Sequence, residues 1–180
     1  MKTTLLLVVA GFAVTCVAVP FACAELSLRQ VLGSTYLASE RLIAVQHADG
    51  TWPWDITDMD APAGVASQNV NGLIALGLLE VDEFLQQPDI HAAILETAGW
   101  IMAFQESNGW VYYQDAVFLA ALSAVTGDEE YRRSGMSAME YVNTVKRPTA
   151  QDVIDQSYAS GKDVAFHLSW AIMANHVYGF

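Results

Sequence analysis

Beyond its first 24 residues the chain has no cysteine, because Cys16 and Cys23 both fall inside that segment. Disulfide staples, thiolate zinc sites and a cysteine nucleophile are thereby excluded, and the core must carry stability alone. Cations are scarce as well. Eight Lys and Arg stand against 20 Asp and Glu, a net charge of −12, and loss of Lys2 would make it more negative still. That balance speaks against nucleic acid, which is held by cationic contacts to phosphate, and against anionic membrane surfaces. Strand alternation, low-complexity tracts, Gly-rich phosphate loops and a Gly-x-Ser-x-Gly elbow are missing. His47, His91, His167 and His176 show no zinc-binding spacing, so neither a metal nor another cofactor is expected. After residue 24 the apolar runs are too short or too interrupted to insert stably in a membrane.

The leading segment reads differently. Lys2 supplies a positive start, Leu5 to Val19 is apolar, Pro20 breaks the run, and Ala22-Cys23-Ala24 places small residues where a signal peptidase cuts. The expectation is a signal peptide over 1–24, cleaved before Glu25, and a secreted or periplasmic mature domain over 25–180. That length is enough to bury one core without disulfides.

Six helices fit the mature segment, and they are of two kinds. Leu28, Val31, Leu32, Tyr36, Leu42 and Ile43 make one apolar face of a helix over Leu26 to Gln46. Ile90, Ala93, Ile94, Thr97, Ala98 and Ile101 do the same in Asp89 to Gln105, as do Tyr131, Ala138, Val142 and Val145 in Asp128 to Lys146. Spacings of three, four and seven put these residues on one side. Val70 to Leu79, Ala116 to Val125 and Val164 to Phe180 are instead apolar nearly all round, the pattern of helices buried on every side. The order alternates outer and inner, three times over. Gly127 fits a left-handed helix stop, with Asp128 the cap of the next helix; Asp89 and Asp163 are further cap candidates. Lys146 and Arg147 fall at the negative end of the third outer helix, and Pro148 stops it.

One phrase occurs twice where an outer helix gives way to the next element. Gln46-His47-Ala48-Asp49-Gly50-Thr51-Trp52 is the first copy and Gln105-Glu106-Ser107-Asn108-Gly109-Trp110 the second. A repeat at this spacing points to stacked helical hairpins. The phrase resembles the QW repeat of the terpenoid cyclase and protein prenyltransferase superfamily, squalene-cyclase-like α/α toroids. Trp100-Ile101-Met102-Ala103-Phe104-Gln105 matches its first half, and Gly50-Thr51-Trp52 its second, while the third outer helix ends Val145-Lys146-Arg147-Pro148 without the phrase. The resemblance implies an all-α fold, helical hairpins in two concentric layers, with about three hairpins and hence an incomplete ring, as in a partial sequence. Physically, the Gln can bond loose backbone groups at a helix end, the Gly permits a left-handed turn and the Trp plates the junction. Ala121-Leu122 through Thr126-Gly127-Asp128-Glu129-Glu130-Tyr131 is similar to a hairpin turn of α/α-barrel glycosidases and lyases.

Chemistry is less legible. The Asp-x-Asp-Asp acid of class II terpene cyclases is matched by Asp58-Met59-Asp60, with Ala61 in the last place. Pro62-Ala63-Gly64-Val65-Ala66-Ser67-Gln68-Asn69 is similar to the thioester motif, but Val65 stands where the thioester cysteine belongs, so none forms. Zinc prenyltransferases need a Cys that the mature chain lacks. Sugar cleavage requires two carboxylates roughly 5–9.5 Å apart across the bond. Asp58, Asp60 and Asp115, near the starts of inner helices, are the catalytic candidates. Trp52, Trp54, Tyr112, Tyr113, Gln114 and His167 are the candidates for binding substrate. Each Asp can equally cap a helix, and Asp55, beside them, can sit in a solvated loop. Two functions follow: a binding or scaffold module without a complete catalytic set, or a carbohydrate-active lyase or glycoside hydrolase. The expected partners are a small molecule or glycan and a second copy of the chain that closes the half-ring.

Overall fold

The computed structural model describes residues 27–53, 70–159 and 164–180. The expected signal peptide over 1–24, Trp54, Asp55, Asp58, Asp60, the 62–69 stretch and Asp163 lie outside them. Among the described residues the protein is all-helical, with seven α-helices and no strand. These are α1 (Leu28–Ala44), α2 (Asn71–Leu85), α3 (Pro88–Asn108), α4 (Tyr113–Thr126), α5 (Glu129–Tyr141), α6 (Ala150–Ala159) and α7 (Val164–Tyr178). A π-helical turn, Val142–Lys146, continues α5. No helix among the described residues is long and apolar enough to cross a membrane.

The chain divides into two units, Met1–Ser34 and Thr35–Phe180. The first contributes Ser27 and the opening turns of α1. Ser27 and Gln30 cap that start reciprocally: Gln30 N donates to Ser27 Oγ, and Ser27 N donates to Gln30 Oε1. In the second unit Tyr36 and Leu37 of α1 are exposed, whereas Leu42 and Ile43 pack on the core. Within this unit the expected apolar stripe is covered at Leu42 and Ile43.

All six expected helices are present. Two apolar helices each form a hairpin with the amphipathic helix that follows: α2 with α3 across Gln86-Gln87, and α4 with α5 across Gly127-Asp128. Gly127 is left-handed at φ 74° and its N–H bonds Ser123 O, while the Asp128 carboxylate accepts from Glu130 N at 2.9 Å. At α3 the cap differs from expectation. Pro88 takes the first helical position, which needs no N–H, Gln87 is the cap residue, and Asp89 sits in the first turn. Buried helices also pack on one another, α2 on α4 and α4 on α7, and α3 packs on α5.

α4 is the centre of the core, with Tyr113 through Ala120 all buried. Two features depart from the sequence reading. A seventh helix, α6, lies between α5 with its π turn and α7; it buries only Val153 and Ser157, too few for a visible stripe. α7 is apolar all round but not buried all round. Ala171, Ala174 and Tyr178 are covered, while Phe166, Ile172 and Met173 are exposed, because α4, α5 and α6 pack against only part of its circumference. Tyr178 anchors it, donating its hydroxyl to Ala116 O of α4 at 2.7 Å.

Candidate functional site

The N-termini of α2 and α4 meet where several predicted site residues converge. Asn71 and Gly72 open α2, and Asp115 stands in the first turn of α4. Gly72 permits the approach: a Cβ there would lie 2.6 Å from the Asp115 amide nitrogen. Asp115 Oδ1 accepts from Gly72 N at 2.9 Å and Oδ2 from Tyr112 N at 3.3 Å. One carboxylate thus closes orphan donors of two helices. Burial pushes its carboxyl up to about 7, with the Gly72 and Tyr112 amides pulling the other way. Asn71 Oδ1 accepts from Trp52 N at 3.0 Å, and its Nδ2 is buried without a partner. Trp52, fully enclosed, donates its indole N–H to Leu42 O at 2.9 Å.

The first Gln–Gly–Trp phrase is a structural joint. The Gln46 amide donates to Ala93 O at 3.0 Å and to Gly50 O at 3.2 Å. Thr97 Oγ1 also donates to Gly50 O, at 2.8 Å. The end of α1 is thereby sewn onto α3. Trp52→Phe should cost about 1–3 kcal/mol by removing the indole bond to Leu42 O, which keeps only Val45 N, and by leaving the site underfilled. Trp110→Phe should cost less, because Trp110 is only half-buried; urea unfolding of the two variants makes the comparison.

The second phrase is looser. Gln105 Nε2 reaches Ser137 Oγ of α5 at only 3.5 Å. Trp100, Phe104, Trp110 and Tyr112 instead form a row of rings with successive centroids 5.0–5.4 Å apart. Lys146 Nζ sits over the Trp110 ring, 2.8 Å from its centroid. Burial first, and Arg147 second, draw the Lys146 ammonium down to about 8.

α5 runs into the π turn, whose last bond is Arg147 N to Val142 O at 2.7 Å. Arg147 lies over the ring of Tyr113, 5.4 Å from its centroid, and Asn143 Nδ2 donates to Asn175 Oδ1 at 2.6 Å. Farther along, His167 Nδ1 is 2.8 Å from Ser157 Oγ. The hydroxyl of this enclosed serine also bonds Val153 O at 2.8 Å.

Trp52, Tyr112 and Asp115 are thus joined through Asn71 and Gly72. Tyr113 and Gln114 are buried beside them, and Tyr113 also faces Arg147. His167 belongs to the α6–α7 pair. Trp54, Asp58 and Asp60 lie outside the described residues. Arg147, Asn143 and Ser157 were not anticipated. The one signal for Arg147 was the missing Gln–Trp phrase at Val145-Lys146-Arg147-Pro148. No group of three metal-ligating side chains occurs among the described residues. No protein-family model matches the chain, and no curated protein or solved structure matches it.

Proposed function

We propose that the chain is an exported binding or scaffold module of the α/α-toroid type, similar to terpenoid cyclase repeats but without a complete catalytic set. The observation that carries this is Asp115. Its carboxylate is enclosed, and both oxygens are taken up by backbone amides, a helix-joining role that leaves no face for substrate. The toroid reading is supported by buried helices packing on buried helices, by α3 packing on α5, and by the Gln46 joint to α3. A second copy covering the exposed Phe166, Ile172 and Met173 of α7 would extend the stack. The residues outside the described set, Asp58 and Asp60 among them, belong to the reading as candidates only.

A second reading is a carbohydrate-active lyase or hydrolase. One observation favours it: a carboxyl held near 7 is half protonated at neutral pH, as a general acid requires. Incubating the purified chain with polyuronides and neutral glycans separates the two. The binding module gives no turnover. Turnover abolished by Asp58→Asn or Asp60→Asn would overturn it and install the enzyme.

A further inference from the structure

The first outer helix ends with Gln46 reaching forward to seal the junction with the next outer helix. The third ends in a π turn, a rare form that recurs at functional sites. Behind this one is an open cavity of about 210 Å³ between α4, the start of α6 and α7. Arg147 lines it, with Tyr113, Asn143, Thr149, Leu168 and Ala171 among its neighbours. No acidic side chain lines it among the described residues.

Arg147 is half-buried, and no carboxylate pairs with it among the described residues. Its Nε is shut away from water and makes no hydrogen bond. A partly desolvated guanidinium without an anion is costly, and this chain carries 20 acidic residues against 8 basic ones. Asp152, the nearest acid in sequence, is held elsewhere: Thr149 N and Oγ1 donate to its Oδ2 at 2.8 and 2.6 Å. The Tyr113 ring supports the guanidinium plane from one side, and the Asn143–Asn175 bond fixes the neighbouring amides.

We infer that this cavity binds a small organic carboxylate, with the carboxylate on the Arg147 guanidinium and the apolar portion against Leu168, Ala171 and Val153. A planar fork of N–H donors matches a carboxylate in two bonds. The apolar lining disfavours a fully hydrated inorganic anion, and the volume, below the roughly 300–1,000 Å³ of pockets for larger ligands, limits the occupant to a short acid. The inference rests on the reading of the chain as a binding module, and it is carried by a different part of the molecule from Asp115.

The test is a titration of the purified chain with hexanoate, 1-hexanol and inorganic phosphate, followed by NMR. Hexanoate is expected to saturate, with shifts centred on Asn143, Leu168 and Ala171. Hexanol, which lacks the charge, and phosphate, which lacks the tail, are expected to bind at least 10-fold more weakly. Arg147→Gln should weaken hexanoate at least 10-fold and leave hexanol unchanged; Arg147→Lys, which keeps charge without the fork, should fall between. Each variant's amide spectrum shows that it is folded. Absence of saturation, or hexanoate binding indifferent to Arg147→Gln, overturns the inference whatever the glycan assay gives. Phosphate binding as tightly as hexanoate overturns it too, in favour of an inorganic-anion site.

Discussion

Gly50→Ala is expected to lower the unfolding free energy by about 3 kcal/mol or more, and Gly109→Ala by only about 1 kcal/mol. The two glycines hold equivalent places in the repeated phrase, and both are left-handed, at φ 86° and 77°. A side chain at either pays the left-handed penalty. The surroundings separate them. A Cβ on Gly50 would lie 2.5 Å from Glu96 O and 2.9 Å from Thr97 N, backbone atoms of α3 that cannot rotate away. On Gly109 the nearest atoms are ring carbons of Tyr141 at 3.6 Å, an ordinary contact. Urea midpoints at constant denaturant slope give the comparison. Equal losses would mean that the first phrase does not hold α1 against α3 as closely as described.

Asp115→Ala should be comparably damaging, at roughly 3 kcal/mol, because it strips the acceptors from Gly72 N and Tyr112 N at once. The residue also has a pH signature. Its carboxyl is raised to about 7 from the ordinary 3.8, with burial the largest cause. A raised acid binds its proton more tightly folded than unfolded. Its contribution to stability is therefore fully present below about pH 4 and is lost as pH rises through about 7. At about 1.4 kcal/mol per pH unit, the wild type should lose a few kcal/mol relative to Asp115→Asn between pH 5 and 8. The Asn variant keeps one acceptor oxygen and cannot ionise. Referring the wild type to it removes the background from the other acids, whose mutual repulsion also grows with pH. A gap that does not change with pH would show that the buried carboxylate ionises without penalty.

The helices were legible because their signals are local. Apolar spacing in α3 and α5 and the all-apolar run of α4 each lie within one segment, and Gly127-Asp128 marks a stop and a start in two residues. The role of Gln46 was legible too, since a residue that can cap a turn has few other uses at a helix end; Trp52 was open to two readings, plating a junction or binding substrate, and only its full enclosure favours the first. α6 was not, because two buried residues make no stripe.

By itself the sequence determined six of the helical segments, where several of them stop, and that the chain is strongly acidic, for these depend on neighbours along the chain. Only the tertiary structure decided what Asp115 does. Its partner Gly72 is 43 residues away, and the same carboxylate in a solvated loop would have been free for chemistry. It also decided that α7 keeps an apolar side uncovered, and that Arg147, an ordinary helix-end cation by sequence, faces a cavity lined by no acid among the described residues. Burial and ionic pairing are properties of residues that come together from distant parts of the chain, and spacing along one segment does not encode them.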